Sequence, residues 1–149
     1  MKNALWNDKK LTAYIGGTFD ILHAGHINLI KKVKEMGIRP IIVVNGDNFV
    51  NENNKTCSYS ANERATALGE FFPDDTIEII EHMKDQRANI GNKKPNFIIV
   101  GTDWMRPEIL PQLGIDDDFL RTYNIAMLFI PRFKSISSTS IKEHLRKDM

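Results

Sequence analysis

The chain has 149 residues, 42% hydrophobic and 26% charged, a balance that fits one soluble globular domain and excludes a disordered chain. Twenty Lys and Arg against nineteen Asp and Glu leave a formal net charge of +1, which argues against a dedicated nucleic-acid binder. The lone Cys57 points to a reducing, cytoplasmic setting, and no apolar run reaches the length of a membrane span.

Residues 1–11 form a polar N-terminal extension unlike a secretory signal. A first strand is predicted over 11–16, then a helix over 27–36 with Leu29, Ile30, Val33 and Met36 toward a core. Pro40 opens a second strand, 41–45, a β-branched run of the kind buried on both faces. Residues 46–60 read as a long polar loop, and loops of that length in compact domains are often functional. A helix over 61–72 is stopped by Pro73 and Asp74, a third strand covers 76–80, and a helix over 81–90 ends at Gly91. Pro95 introduces a fourth strand, 96–100. Residues 105–124 hold Pro107, Pro111, Gly114 and the acidic run 116–118, an insertion that reads as a short helix, a lid or a surface excursion. A fifth strand over 125–130 and a last helix over 141–147 complete the order. The expectation is one α/β domain, 1–149, whose five-stranded parallel sheet carries helices on both faces.

In an open parallel sheet, ligands bind beyond the carboxyl ends of the strands. That singles out residues 16–26, 45–55, 101–106 and 131–140. The first segment runs Gly16-Gly17-Thr18-Phe19-Asp20-Ile21-Leu22-His23-Ala24-Gly25-His26. Its glycine spacing is neither a dinucleotide fingerprint nor a P-loop. His23 and His26 lie three apart, so at a helix start they share a side, and imidazole donors there suit a polyphosphate. Each histidine alone also reads as a helix cap or a partly buried residue, and the pair without a third ligand makes a weak metal site. Lys31, Lys32 and Lys34 read as a solvated helix face, and His82 and His144 match no motif.

The string from Gly17 to His26 resembles the signature of the nucleotidyltransferase superfamily marked by a His-x-Gly-His pair. From Ala13 to Leu145 the chain most resembles the bacterial glycerol-3-phosphate cytidylyltransferases. The resemblance implies a Rossmann-like fold and attack of a substrate phosphate on the α-phosphorus of a nucleoside triphosphate, with pyrophosphate leaving. It implies catalytic roles for His23, His26, Lys55 and Arg64. Nucleotide contacts are implied for Gly17, Thr18, Phe19, Gly25, Gly101, Asp103, Arg132, Ile136, Ser137, Ser138 and Thr139, and acceptor contacts for Asp20, Trp104 and Lys55.

Lys55 reads equally as a solvated surface lysine. Relatives carry a Lys-x-Lys pair where this chain has Asn53-Asn54-Lys55. Arg64 reads as a bidentate phosphate clamp or as an exposed helix arginine paired with an acid such as Glu63. Asp103 is placed to accept from cytosine's exocyclic amine, with Trp104 beside the nucleotide or acceptor; a strand-end turn plugged by Trp104 is the alternative. In the last segment Arg132, Ile136, Ser137 and Thr139 match the cytidylyltransferase pattern, whereas Phe133, Lys134 and Ser135 do not. Ser137 to Lys142 equally resembles the adenylyltransferase version, and Ser140 with Glu143 forms a capping box.

The expectation is a magnesium-assisted cytidylyltransferase, a cytoplasmic homodimer acting on glycerol 3-phosphate. An adenylyltransferase acting on a sugar phosphate or FMN is the alternative, and a non-catalytic nucleotide sensor a third.

Overall fold

The computed structural model describes residues 10–131 and, beyond them, Leu145. Five strands form one parallel sheet in the order β3-β2-β1-β4-β5: β1 (Thr12–Gly17), β2 (Arg39–Asn45), β3 (Thr76–Ile80), β4 (Phe97–Gly101) and β5 (Ala126–Ile130). Within residues 10–131 six helices accompany them: α1 (Ala24–Glu35), α2 (Asp47–Glu52), α3 (Ala61–Phe71), α4 (Gln86–Lys93), α5 (Ile109–Gln112) and α6 (Asp117–Tyr123). This is the expected Rossmann-like α/β architecture. The last predicted helix, 141–147, lies outside the described residues apart from Leu145.

The β-branched run of β2 is buried on both faces because its side chains alternate between two cores. Ile42 and Val44 join Ala13, Ile15, Ile30, Val33 and Leu68 beneath α1 and α3. Ile41 and Val43 join Tyr14, Phe49, Ile90, Ile98, Ile115 and Phe119 on the other face. Pro40 is tolerated in this central strand for a local reason. Arg39 donates its N–H to Leu11 O at 2.8 Å, so alternation turns the position of Pro40's missing N–H toward β3, which starts only at Thr76 opposite Ile41.

Three boundaries differ from the sequence reading. First, α1 starts at Ala24, three residues early. At its other end Gly37, at φ +80°, closes a Schellman motif in which Gly37 N bonds Lys34 O and Ile38 N bonds Val33 O. Second, the expected helix over 81–90 begins as a 3-10 turn, Met83–Asp85, and continues as α4 to Lys93. Gly91 does not end it. A Cβ there would stand 3.2 Å from the Tyr123 hydroxyl, so that glycine lets α6 approach, and Lys94 before Pro95 makes the stop. Third, the polar loop 46–60 contains α2, whose Phe49 and Val50 are buried.

The insertion 105–124 takes the short-helix reading: it holds α5 and α6, and although most of its residues are exposed it is anchored to the fold. Asp116 caps α6 by accepting from Phe119 N at 2.8 Å, and Ile115 and Phe119 bury themselves in the second core.

A polar chain crosses that core. Asn89 Nδ2 donates to the Tyr14 hydroxyl at 3.2 Å and to Glu78 Oε1 at 3.0 Å, and Lys93 pairs with Glu78 at 2.6 Å. Tyr14 is fully buried, and burial first, with the Glu78 charge adding to it, pushes its phenol up to about 12 against the lowering hydrogen bond from Asn89. The unfolded chain ionises near 10, so this contribution to stability is complete below pH 10 and lost as pH rises through about 12. The loss is on the order of 3 kcal/mol. Urea midpoints should fall between pH 10 and 12 more steeply in the wild type than in Tyr14→Phe; parallel profiles would refute the assignment.

Candidate active site

The sheet opens where its order reverses. β1 matches β2 over six residue pairs and β4 matches β5 over five, but β1 and β4 are in register only at Ala13↔Phe97 and Tyr14↔Ile98. Residues 15–17 and 99–101 run on without pairing each other, and Gly16, although in a central strand, is exposed. Backbone groups at this point are presented to a ligand, the expected place for a site in such a sheet. The segments after β1, β2 and β4 all leave from this edge.

After β1 the chain turns sharply. Phe19 has φ +53° although it is a bulky residue, a strained conformation held by burial of its ring. A Cβ on Gly17 would lie 3.0 Å from that ring, which is why glycine stands there. The ring of Phe19 meets His26 edge-on at 5.3 Å.

The two histidines cap α1 reciprocally. His23 Nδ1 accepts from Gly25 N at 3.0 Å, and His26 Nδ1 accepts from His23 N at 3.3 Å. Their rings stack with centres 3.9 Å apart and planes 26° apart. Capping and polyphosphate chemistry are therefore compatible. Both Nδ1 atoms act as acceptors, so each neutral ring carries its proton on Nε2, and the pair presents two like donors at the N-terminus of a twelve-residue helix.

Arg64 is buried rather than exposed, and the acid it pairs with is Asp47 rather than Glu63. Its side chain is fully buried. Nε donates to Tyr59 O at 3.0 Å, Nη1 to Thr18 O at 2.8 Å and Asn45 O at 2.6 Å, and Nη2 to Asp47 Oδ1 at 3.0 Å. Four of the five N–H groups of this guanidinium are thus spent on protein oxygens. It ties together the turn after β1, the end of β2 and the loop before α3. Asp47 completes the knot by accepting from Ala61 N at 3.1 Å.

Asp20 likewise holds the loop together. It is 6% exposed, and its Oδ1 receives Ser58 N at 2.8 Å and Tyr59 N at 3.2 Å, strapping the loop before α3 to the histidine turn. Thr18 Oγ1 accepts from Asn45 Nδ2 at 3.3 Å. The contributions of Asn45, Asp47, Ser58 and Tyr59 were missed by the sequence reading. The one available signal was that Asn45 ends β2 and the other three lie in the segment leading from it to α3.

Lys55 is exposed just beyond α2, with its N–H on Val50 O at 3.1 Å. Gly101 ends β4, and residues Thr102–Trp104 form a 3-10 turn with Asp103 exposed and Trp104 packed against the second core. The plug reading of Trp104 thus holds in part. Gly25 lies in the first turn of α1. Arg132, Ile136, Ser137, Ser138, Thr139 and the proposed Ser140–Glu143 cap lie outside the described residues. Among the described residues no three His, Cys, Asp or Glu side chains come together as a metal group, and no helix is long and apolar enough to cross a membrane.

Comparison with known proteins agrees with this geometry. The glycerol-3-phosphate cytidylyltransferase of Bacillus subtilis is 27% identical, over 92% of this chain and 97% of that protein. The FAD synthase of Thermoplasma acidophilum is 29% identical over 70% of this chain and 77% of its own length. A crystal structure described as a lipopolysaccharide core biosynthesis protein from Thermoplasma volcanium superposes with a TM-score of 0.64 at 26% identity, covering 86% of this chain and all of that one. The model of the cytidylyltransferase-like family matches residues 14–144. With a sheet split above a histidine-capped helix, and a family match over nearly the whole chain, this protein belongs to the cytidylyltransferase-like family of nucleotidyltransferases.

Proposed function

We propose that the protein transfers CMP from CTP to a small phosphorylated alcohol, glycerol 3-phosphate giving CDP-glycerol and pyrophosphate. The observation that carries the reading is the stacked His23–His26 pair at the start of α1, beside the parted ends of β1 and β4. The choice of acceptor is supported by the likeness to the Bacillus subtilis enzyme, which runs over nearly the full length of both proteins.

In this reading an oxygen of the acceptor phosphate attacks the α-phosphorus. A new P–O bond forms as the bond to the β-phosphate oxygen breaks, and pyrophosphate carries away the negative charge. Such transfers need charge stabilisation and alignment more than a protein nucleophile. His23 and His26 supply Nε2–H donors to the α- and β-phosphate oxygens, fixed in tautomer by their Nδ1 bonds. The backbone of Gly16 and Gly17 admits the triphosphate, and Lys55 approaches the phosphates from the loop beyond α2. Arg64 and Asp20 act at one remove, holding that loop and the histidine turn in register. Gly101, Asp103 and the segment with Arg132, Ile136, Ser137, Ser138 and Thr139 complete the nucleotide site. The described residues hold no three-member metal group, so magnesium would come with the nucleotide and would supply neutralisation of the triphosphate charge. The working protein is a cytoplasmic homodimer.

A second reading, an adenylyltransferase acting on FMN, is favoured by the likeness to FAD synthases. Pyrophosphate release should be measured with glycerol 3-phosphate or FMN against CTP, ATP, GTP and UTP. Release with CTP and glycerol 3-phosphate is the expected result. Release with ATP and FMN alone would establish the second reading. Nucleotide binding without release from any pair across a broad set of acceptors would leave a sensor.

A further inference from the structure

A phosphorylated acceptor brings a second highly charged group to a site already holding a triphosphate. Lys55, exposed beyond α2, is already assigned to the triphosphate, and the described arginines offer few further cations on this edge. Arg64 is buried and spends four N–H bonds on protein oxygens. Arg39 stands at the opposite, amino end of β2. Arg87 lies over Phe119 and bonds Gly114 O, and Arg121 pairs with Asp118. Arg106 differs from all of these. It follows the turn at the carboxyl end of β4, on the other side of the parting from β1 and the histidine turn.

The guanidinium of Arg106 lies over an indole ring. Cζ lies 4.5 Å from the centre of the Trp104 ring, and among the described residues no hydrogen bond or ion pair engages its N–H groups. A guanidinium over an aromatic ring gains cation–π attraction without spending an N–H bond, so its donors remain for a partner. The platform is itself fixed. Trp104 packs against the second core, Arg106 N bonds Trp104 O at 2.9 Å, and Ile109 N bonds Arg106 O at 3.1 Å. A planar donor array, pre-oriented and exposed, matches the geometry of a phosphate monoester. A surface arginine kept only for solubility has no need of such a seat.

We propose that Arg106, seated on Trp104, binds the phosphate of the acceptor and so selects phosphorylated acceptors over free alcohols. The proposal rests on the nucleotidyltransferase reading for its context but is tested apart from turnover. The nucleotide's terminal phosphate offers the same chemistry, so the experiment separates the two sources.

With Trp6→Phe as background, Trp104 is the remaining one of the chain's two tryptophans and reports on its own surroundings. Its emission is titrated with glycerol 3-phosphate, inorganic phosphate and glycerol, with and without a non-hydrolysable CTP analogue. Affinity for CTP is measured separately by calorimetry. We expect a saturable response to glycerol 3-phosphate and phosphate, and none to glycerol. Arg106→Met, which keeps packing on the indole but removes the donors, should weaken both phosphate ligands about tenfold or more. Arg106→Lys should restore part of that loss, and CTP affinity should stay within about twofold throughout. The proposal is overturned by a wild type without a saturable phosphate response, by equal phosphate affinity in Arg106→Met, or by a loss shared equally with CTP. If phosphate binds as expected but no nucleotide yields pyrophosphate, the nucleotidyltransferase reading fails and the phosphate site stands.

Discussion

His23→Asn should fold as well as the wild type and turn over about 10² to 10³ times more slowly. Asparagine places Oδ1 where Nδ1 of His23 now accepts from Gly25 N, and it is among the best N-cap residues, but it offers nothing at the position of Nε2. His23→Ala removes both functions. It should lose the same turnover and, in addition, about 1 kcal/mol of stability, or roughly 3 °C in Tm. The pair of variants therefore separates the structural use of the ring from its chemical use. Melting temperatures by circular dichroism and steady-state pyrophosphate release, taken with whichever nucleotide and acceptor the wild type uses fastest, check both. Near wild-type turnover in His23→Asn would reduce the histidine to a cap. His26→Asn is expected to behave alike, since its Nδ1 accepts the N–H of His23.

Arg64→Met should be the most destabilising single change near the site. Methionine fills the space of the buried stem but leaves the carbonyl oxygens of Thr18, Asn45 and Tyr59 and the Asp47 carboxylate without their shared donor. The Asp47 carboxylate is exposed, but three carbonyls without a donor at about 1 kcal/mol or more each give an expected loss of at least about 3 kcal/mol, or roughly 10 °C in Tm. The loss should appear without any ligand present. Arg64→Lys should recover less than half, because one ammonium cannot span four acceptors on three chain segments. Were Arg64 instead a phosphate clamp, Arg64→Met would melt like the wild type and lose only nucleotide affinity. Thermal denaturation of the ligand-free protein decides between the two.

Both variants bear on how much of the site was legible in the chain. Phe19, Gly17 and the two histidines were found because they form one contiguous string, and local sequence carries local geometry. That His23 would cap α1 was open as an alternative, but the start of the helix was set three residues late. Histidine is not among the strong N-cap residues, so the usual start signal was missing. Arg64 was misplaced for a different reason. An arginine in the first turn of a polar helix looks solvent-facing, and its burial follows from carbonyls contributed by residues 18, 45 and 59, which only the sheet brings together. For Asp20 the resemblance implies an acceptor contact, whereas the strap it makes was not legible, because its partners Ser58 and Tyr59 lie nearly forty residues on. In the insertion, Pro107, Pro111 and Gly114 signal interruption, whereas Ile115 and Phe119 become core because α4 and the sheet face lie ready to receive them.

The sequence by itself determined the five strands, their parallel order of connection and the family string after the first of them. Short apolar runs alternating with amphipathic stretches admit few other solutions, since strand and helix periodicities are local properties of the chain. Only the tertiary structure decided that β1 and β4 part after two residue pairs, that both histidines spend Nδ1 on the backbone, and that Arg64 is a buried tie while Arg106 is seated on Trp104. Each of these depends on which distant backbone groups arrive beside a side chain. Hydrogen bonding and desolvation act on those neighbours in space, and no spacing along the chain encodes them.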